Sequence, residues 1–349
     1  MYMLRFIDGH HDTLLELQHG ADAFFTGLPS AHLDFPRGTK AGYAAGFFAV
    51  FSPNPESDPA PSLLPAPAGY MKTLPPKLSR EYALASTMRS MARFLQLEGL
   101  SGGAFKVIRT ITDLKKAVEG RWMGGILHME GAEALDKDLD LLYVLYHAGV
   151  RSIGPVWSRP NSFGEGVPYG YPSSPDTGPG LTPEGRDLIR KCCELGIMID
   201  LSHLNEKGFW DVAALSDKPL VATHANVHRI CPVSRNLTDP QIDQIGRSGG
   251  LIGITYSIDP NMVTPKAEGD PEASLEDIAE HIDYVKDRIG VEHVALGSDF
   301  DGTVVPDAVK DVTGVPALLN VLEKRGWTKG ELEQLTYKNW IRVLDQTWR

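Results

Sequence analysis

Cysteine is scarce in this chain: Cys192, Cys193 and Cys231 are the only three in 349 residues. An odd count with two adjacent members excludes a disulfide framework. Cys192 and Cys193 fall in an amphipathic helical stretch, where the residue ordinarily serves as a small buried hydrophobe. Excess positive charge is missing too. Asp and Glu outnumber Lys and Arg by 45 to 34, for a formal net charge of -11. That balance argues against nucleic acid, whose phosphates demand clustered Lys and Arg. No apolar run approaches the roughly 20 residues of a membrane span. Met1 to Asp8 enter a strand-like run at once, so no signal peptide is expected, and the default location is cytoplasmic. What the chain does have is core: 42% of its residues are hydrophobic, which sets intrinsic disorder aside.

Short apolar runs ending in polar residues give eight strand candidates, at roughly 3–8, 43–51, 123–129, 150–156, 197–202, 219–223, 250–256 and 292–298. Helical patterns with recognisable starts lie between most of them. Thr182 followed by Pro183 opens a helix through about Leu195, which Gly196 stops. Ser274, with Asp277 three residues on, opens another through about Ile289, ended by Gly290. Thr238, Asp239 and Pro240 open a third. Strands alternating with such helices pair in parallel, and eight of them predict a closed (β/α)8 TIM barrel. The length suits one such domain over 1–349 with loop insertions. Two stretches break the alternation. Residues 53–79 carry eight prolines and little periodicity, and residues 158–181 are rich in Gly, Pro, Ser and Tyr. Both sit where a strand runs into its helix, the catalytic face of a barrel. Loops this long are either lids and substrate walls or tolerated surface insertions.

The ionisable residues just after the strands carry the chemistry. The first strand ends Asp8-Gly9-His10-His11-Asp12, and alternation puts His10 and Asp12 on one face and His11 on the other. The third ends His128-Met129-Glu130, the fifth Asp200-Leu201-Ser202-His203, and the sixth Thr223-His224. The eighth ends Ser298-Asp299-Phe300-Asp301-Gly302. One histidine at a strand end is ordinarily a hydrogen-bonded structural residue. Five strands delivering His, Asp or Glu to one rim is another matter, because those positions converge on a single pocket. Unpaired imidazoles and carboxylates packed together are costly unless cations compensate them, so a metal site is expected. Three imidazoles and two carboxylates are too many for one catalytic zinc, which takes three protein ligands and leaves a place for water. They suit two metals with one carboxylate bridging. Two divalent ions would bring four positive charges, balanced by Asp12, Glu130, Asp299 and a bridging hydroxide.

With these motifs in this order and spacing, the sequence resembles the membrane (renal) dipeptidase family of zinc metallopeptidases and its bacterial relatives. The resemblance runs from about Phe6 to Leu344. It rests on Asp8 to Asp12, Glu130-Gly131, Ile199 to His203, Thr223-His224 with Arg235-Asn236 downstream, Gly297 to Gly302, and Asn339 to Val343. It implies that His10 and Asp12 bind one zinc, His203 and His224 the other, and that Glu130 bridges them. It further implies that Asp299 handles the proton beside the metal-bound water. Arg235 matches an arginine that takes the substrate's C-terminal carboxylate, for which a guanidinium fork is well shaped. Without the resemblance, Arg235 reads as a helix-flanking surface charge.

Two positions depart from the family pattern. Where a histidine usually contacts the substrate carbonyl, this chain has Trp157, whose indole has one donor and no titrating group. Ser158, Arg159 or Asn161 is then the candidate for the missing contact. Where the family places a tyrosine after the seventh strand, this chain has Ser257, with Tyr256 one residue early. Neighbours on a strand face opposite ways. That alternation counts against Tyr256 as a replacement for the family tyrosine; Trp157, Asn161 and Tyr256 nevertheless join Arg235 as candidate substrate contacts.

The expected activity is hydrolysis of the amide bond of a dipeptide through a metal-bridging hydroxide, with two Zn2+ per chain; Mn2+ or Co2+ would also fit such ligands. No nucleic-acid or membrane partner is expected, and a homodimer is compatible with the fold. A metal-dependent amidohydrolase or lactonase acting on a related N-acyl amino acid or lactone is the alternative. Wider relatives of that kind show His-x-His after the first strand and a bridging lysine, where this chain has His10-x-Asp12 and a glutamate. A catalytically silent barrel would be signalled by loss of Asp299 or a ligand, and none is lost.

Overall fold

The computed structural model describes residues 4–58, 62–66, 69–265 and 272–349. Residue 3 of the first strand candidate, and residues 59–61 and 67–68 of the first insertion, lie outside the described residues. Twelve strands are assigned among the described residues: β1 (Phe6–His11), β2 (Tyr43–Phe51), β3 (Leu63–Ala66), β4 (Gly69–Lys72), β5 (Phe105–Val107), β6 (Met123–Glu130), β7 (Val150–Gly154), β8 (Tyr169–Tyr171), β9 (Met198–Ile199), β10 (Val221–Ala225), β11 (Leu251–Ile254) and β12 (Val294–Leu296). All eight strand candidates are represented. The strands β1, β6, β10 and β11 are buried at every residue, as parallel strands covered on both faces must be.

The parallel strands form an α/β fold in two curled sheets. One runs β1-β2-β6-β7-β9, with β5 against the start of β6, and the other runs β10-β11-β12. The β2–β6 register is unbroken from Ala45 opposite Gly124 to Phe51 opposite Glu130, which carries Glu130 to the carboxyl rim. Between the sheets the ladder thins to single parallel bridges, Asp200 to Val221 and His11 to Phe300. The continuous eight-stranded ladder expected from the sequence is therefore replaced by two sheets that meet at two seams.

A buried carboxylate stitches each seam. Asp8 of β1 accepts from the Ser298 amide at 2.8 Å and its hydroxyl at 2.5 Å. Asp200, just past β9, accepts from the Thr223 amide at 2.8 Å and its hydroxyl at 2.6 Å. Asp200 keeps its backbone pairing, its amide donating to the Ile153 carbonyl at 2.9 Å and the Leu201 amide to the Val221 carbonyl at 2.9 Å, and adds the side-chain contacts to it.

The helices start where their caps predict. Thr182 accepts from the Gly185 amide ahead of Pro183–Leu195, and Gly196 ends that helix in the left-handed region at φ 73°. Ser274 and Asp277 form a reciprocal capping box ahead of Leu275–Ile289, as Thr238 and Gln241 do ahead of Asp239–Arg247. The helix Asn339–Thr347 plugs the bottom of the fold. Its Trp340 is fully buried, donates to the Leu296 carbonyl at 3.3 Å and packs on Phe47 with ring centroids 4.8 Å apart. A β-carbon on Gly9 would lie 2.5 Å from the Trp340 ring and 2.4 Å from the Thr223 carbonyl, so only glycine fits beside His10.

The two insertions meet each other. β3 and β4 form an antiparallel hairpin within 53–79, and β4 pairs antiparallel with β8 of the 158–181 stretch through Tyr70 opposite Tyr171. The resulting three-stranded sheet stands beside the rim. No helix among the described residues is long and apolar enough to cross a membrane.

Candidate metal centre and substrate cleft

The strand ends deliver their side chains to one point. His10 Nε2 lies 3.3 Å from Asp12 Oδ2 and 3.8 Å from Glu130 Oε2. On the other side of Glu130, Oε1 is 2.9 Å from His203 Nε2 and 3.7 Å from His224 Nε2, and the two Nε2 atoms are 3.0 Å apart. Two compact groups of potential ligands result, His10-Asp12-Glu130 and Glu130-His203-His224, and Glu130 belongs to both. Asp299 lies within the same reach of His10 and His224. Alternation does the aiming. His11, between two of these residues, turns away to Tyr43 Oη at 2.8 Å and Thr13 Oγ1 at 2.9 Å.

The donor set fits metal cations. Both ring nitrogens of His10 and Oδ1 of Asp12 are buried with no hydrogen-bond partner. Such orphans are costly unless an ion takes them. The charges agree. Burial alone would depress the His10 imidazole, but Glu130, Asp12 and Asp299 together raise its pKa to about 10. Burial, with Asp12 beside it, drives Glu130 well above the carboxylate range. Burial lifts Asp299 to about 7, with His10 opposing and Asp12 reinforcing the rise. Acids this crowded need positive charge, and histidine and carboxylate nitrogen and oxygen donors are what zinc accepts.

The converging side chains are held from behind. Asp200 would be raised by burial, but His128, Ser202 and Thr223 hold it below the ordinary carboxylate range. His128 reaches Ser152 Oγ at 2.8 Å and faces Asp200 at 3.6 Å. Asp301, raised to about 7 mainly by burial, accepts from Thr13 Oγ1 at 2.6 Å and from the His32 amide at 2.5 Å. Asp299 and Asp301 both sit at positive φ, 65° and 67°, which turns the loop sharply at the rim.

A cleft of about 430 Å³ opens at these side chains, lined also by Trp157, Tyr169, Arg235, Asp301 and Thr303. Arg235 is a buried residue of the cleft wall. Its Nε donates to His203 Nδ1 at 3.1 Å and its Nη2 to the His224 carbonyl at 3.1 Å, while Nη1 has no partner. Trp157 stands beside His203, with ring centroids 5.9 Å apart, and packs on Phe51 at 5.3 Å.

Two expected contacts lie elsewhere. Asn161 is not in the cleft wall: its amide donates to the Pro155 carbonyl at 2.8 Å and its oxygen accepts from the Phe163 amide at 2.8 Å. Tyr256 faces the core against Phe300, with ring centroids 5.7 Å apart, and Ser257 lines the cleft in its place. Of the residues considered beside Trp157, Ser158 contacts His203 Nδ1 at 3.0 Å, whereas Arg159 is buried toward Glu133 at 3.4 Å. Three residues escaped sequence reasoning. His128 shares the Glu130 face of β6, a signal that alternation carries. Tyr169 and Lys72 come from the aperiodic insertions, which carry none.

A rim of parallel-strand ends bearing two overlapping groups of buried histidines and acids is the frame of a metal-dependent hydrolase. The membrane dipeptidase (peptidase family M19) model matches residues 1–348, and the chain belongs to that family: it is a metal-dependent dipeptidase. A metallopeptidase from Rhodobacter sphaeroides, solved with a phosphinate mimic of the dipeptide L-Ala-D-Ala, is similar at 41% identity and TM-score 0.92, over 99% of this chain and 100% of that one. Dipeptidase AC, a family M19 metallopeptidase of known structure, is similar at 41% identity and TM-score 0.92, over 99% of each chain. A Klebsiella pneumoniae protein of the pqqA 5′ region is 43% identical over 263 residues, 75% of this chain and 96% of its own.

Proposed function

We propose that this dipeptidase is a binuclear zinc enzyme on a single closed (β/α)8 domain, the two single-bridge seams being where the barrel closes. The observation that carries the reading is Glu130, one carboxylate shared by two ligand groups. His10 and Asp12 would hold one ion and His203 and His224 the other. Bound zinc would supply a water acidic enough to act as hydroxide near neutral pH, and a Lewis acid for the scissile carbonyl.

The chain's own residues do the rest. Asp299 takes the proton released as the water oxygen bonds to the carbonyl carbon. It returns that proton to the amine as the C–N bond breaks, which is general acid–base work on both steps. Arg235 receives the substrate's free carboxylate on its unpartnered Nη1. Trp157 and Tyr169 close the cleft around the peptide. The relative bound to an L-Ala-D-Ala mimic supports a dipeptide of small residues, with a D residue accepted at the C-terminal position. Three free cysteines, two of them buried, fit a reducing cytoplasm.

The test combines metal analysis with a substrate panel on one preparation. Stripped protein titrated with Zn2+ should bind two ions per chain and regain hydrolysis of L,L and L,D dipeptides. Saturation at one ion, with no second site filled in excess zinc, sinks the binuclear assignment.

A further inference from the structure

Directly behind His224 lies a closed chain of hydrogen bonds whose directions can be counted. Asp200 stands at its head with both oxygens receiving donors. Its Oδ1 accepts from the Ser202 amide at 3.1 Å, the Ser202 hydroxyl at 2.6 Å and the Thr223 amide at 2.8 Å. Its Oδ2 accepts from the Thr223 hydroxyl at 2.6 Å. A hydroxyl has one hydrogen to give. Thr223 gives its hydrogen to Asp200, and Ser202 does the same. Yet Thr223 Oγ1 also lies 2.8 Å from His224 Nδ1. With no hydrogen left on the oxygen, that contact exists only if the imidazole donates. His224 then carries its proton on Nδ1, and the lone pair is on Nε2, the atom that points at Glu130 and His203.

We infer that Asp200 and Thr223 are positioning residues that fix His224 in the tautomer a metal requires. The inference rests on the proposed ligand role of His224. It assigns the Thr223 hydroxyl a task beyond stitching the seam, since the seam is also held by the Thr223 amide, which any residue provides. His203 is the contrast within the same group. Its Nδ1 faces Arg235 Nε, which can only donate, so that nitrogen accepts and the proton sits on Nε2, 2.9 Å from Glu130 Oε1. His224 is thus set in advance for an ion, whereas His203, with its Nδ1 accepting from Arg235, carries its proton on the nitrogen that faces Glu130. Partners of this kind behind a metal-bound histidine typically alter affinity by about 10–100-fold.

The experiment uses Thr223→Val, which keeps the β-branched shape and the amide and removes only the hydroxyl, beside Thr223→Ser, which restores it. Stripped wild type and both variants are titrated with Zn2+ against a competing chelator. In parallel, long-range proton–nitrogen correlation spectra of the metal-free wild type report which ring nitrogen of His224 is protonated. Thr223→Val should weaken one of two zinc sites by about 10–100-fold, Thr223→Ser should recover most of the loss, and His224 should appear as the Nδ1–H form. Wild-type zinc affinity in Thr223→Val, or an Nε2–H form of His224, overturns the inference. Should Thr223→Val fail to fold, the wild-type spectrum still decides it. A wild type that binds only one zinc counts against the binuclear reading instead, and the spectrum separates the two failures.

Discussion

The floor of the cleft and its wall are built by opposite means. The floor is made of parallel-strand ends and the first residues past them: His10, Glu130 and His224 lie in β1, β6 and β10, and Asp12, His203 and Asp299 just beyond β1, β9 and β12. The wall comes from the two insertions, whose β4–β8 pairing is antiparallel and joins segments about a hundred residues apart. Floor residues are buried and crowded with like charges. The wall is mixed: Tyr169 is buried, whereas Lys72 and Asp259, 2.7 Å apart, keep solvent contact. The contrast suggests a division of labour: chemistry below, selection of substrate above.

The sharpest way to break that division is at Asp299. Asp299→Asn should lower kcat by about 10²–10⁴-fold while zinc content stays at the wild-type level. Metal loss in step with activity would make it a ligand and not a proton carrier. Arg235 stands between floor and wall and should give an intermediate effect. Arg235→Ala removes a charge-assisted contact of roughly 1.5–3 kcal/mol, about one to two decades in kcat/KM for a free dipeptide. A C-terminally amidated dipeptide should lose little further on the same change. Equal losses for the two substrates would show that Arg235 does not read the carboxylate.

The smallest effect is expected in the wall. The Lys72–Asp259 pair keeps substantial solvent contact, with side chains 21% and 39% exposed. Such pairs contribute about 0–1 kcal/mol. Lys72→Met should therefore change KM by less than about tenfold, leave kcat unaltered and barely move Tm. A fall in kcat comparable to that of Asp299→Asn would carry the chemistry into the wall and end the distinction.

How much of this could be read from sequence follows the same line. All eight strand candidates and the three capped helices are present, because short continuous apolar runs and N-cap chemistry are local signals. His10, Asp12, Glu130, His203 and His224 meet because each follows a strand of the parallel set. The insertions were opaque. Eight prolines in 53–79 leave no periodicity, so neither the β3–β4 hairpin nor its pairing with β8 has a local signature. Tyr169 enters the cleft from that sheet. Tyr256 was misplaced by a single residue of register, since Ser257 faces the cleft. Asn161 was misplaced because a loop amide satisfies its own backbone first. The seams were invisible for another reason: there each single backbone bridge is supplemented by a buried carboxylate, Asp8 or Asp200, whose side-chain contacts no periodicity signals.

The contact between Gly9 and Trp340 bears on the order of events during synthesis and folding. The two residues are 331 positions apart in the chain, and Gly9 precedes His10 directly. β1 leaves the ribosome early, yet the ring that packs against it is translated hundreds of residues later. A contact of that separation cannot reward the chain until most of the intervening loop entropy has been met. His10 is therefore carried on a strand whose support arrives late, and the candidate metal centre is complete only once the far end of the chain is in place.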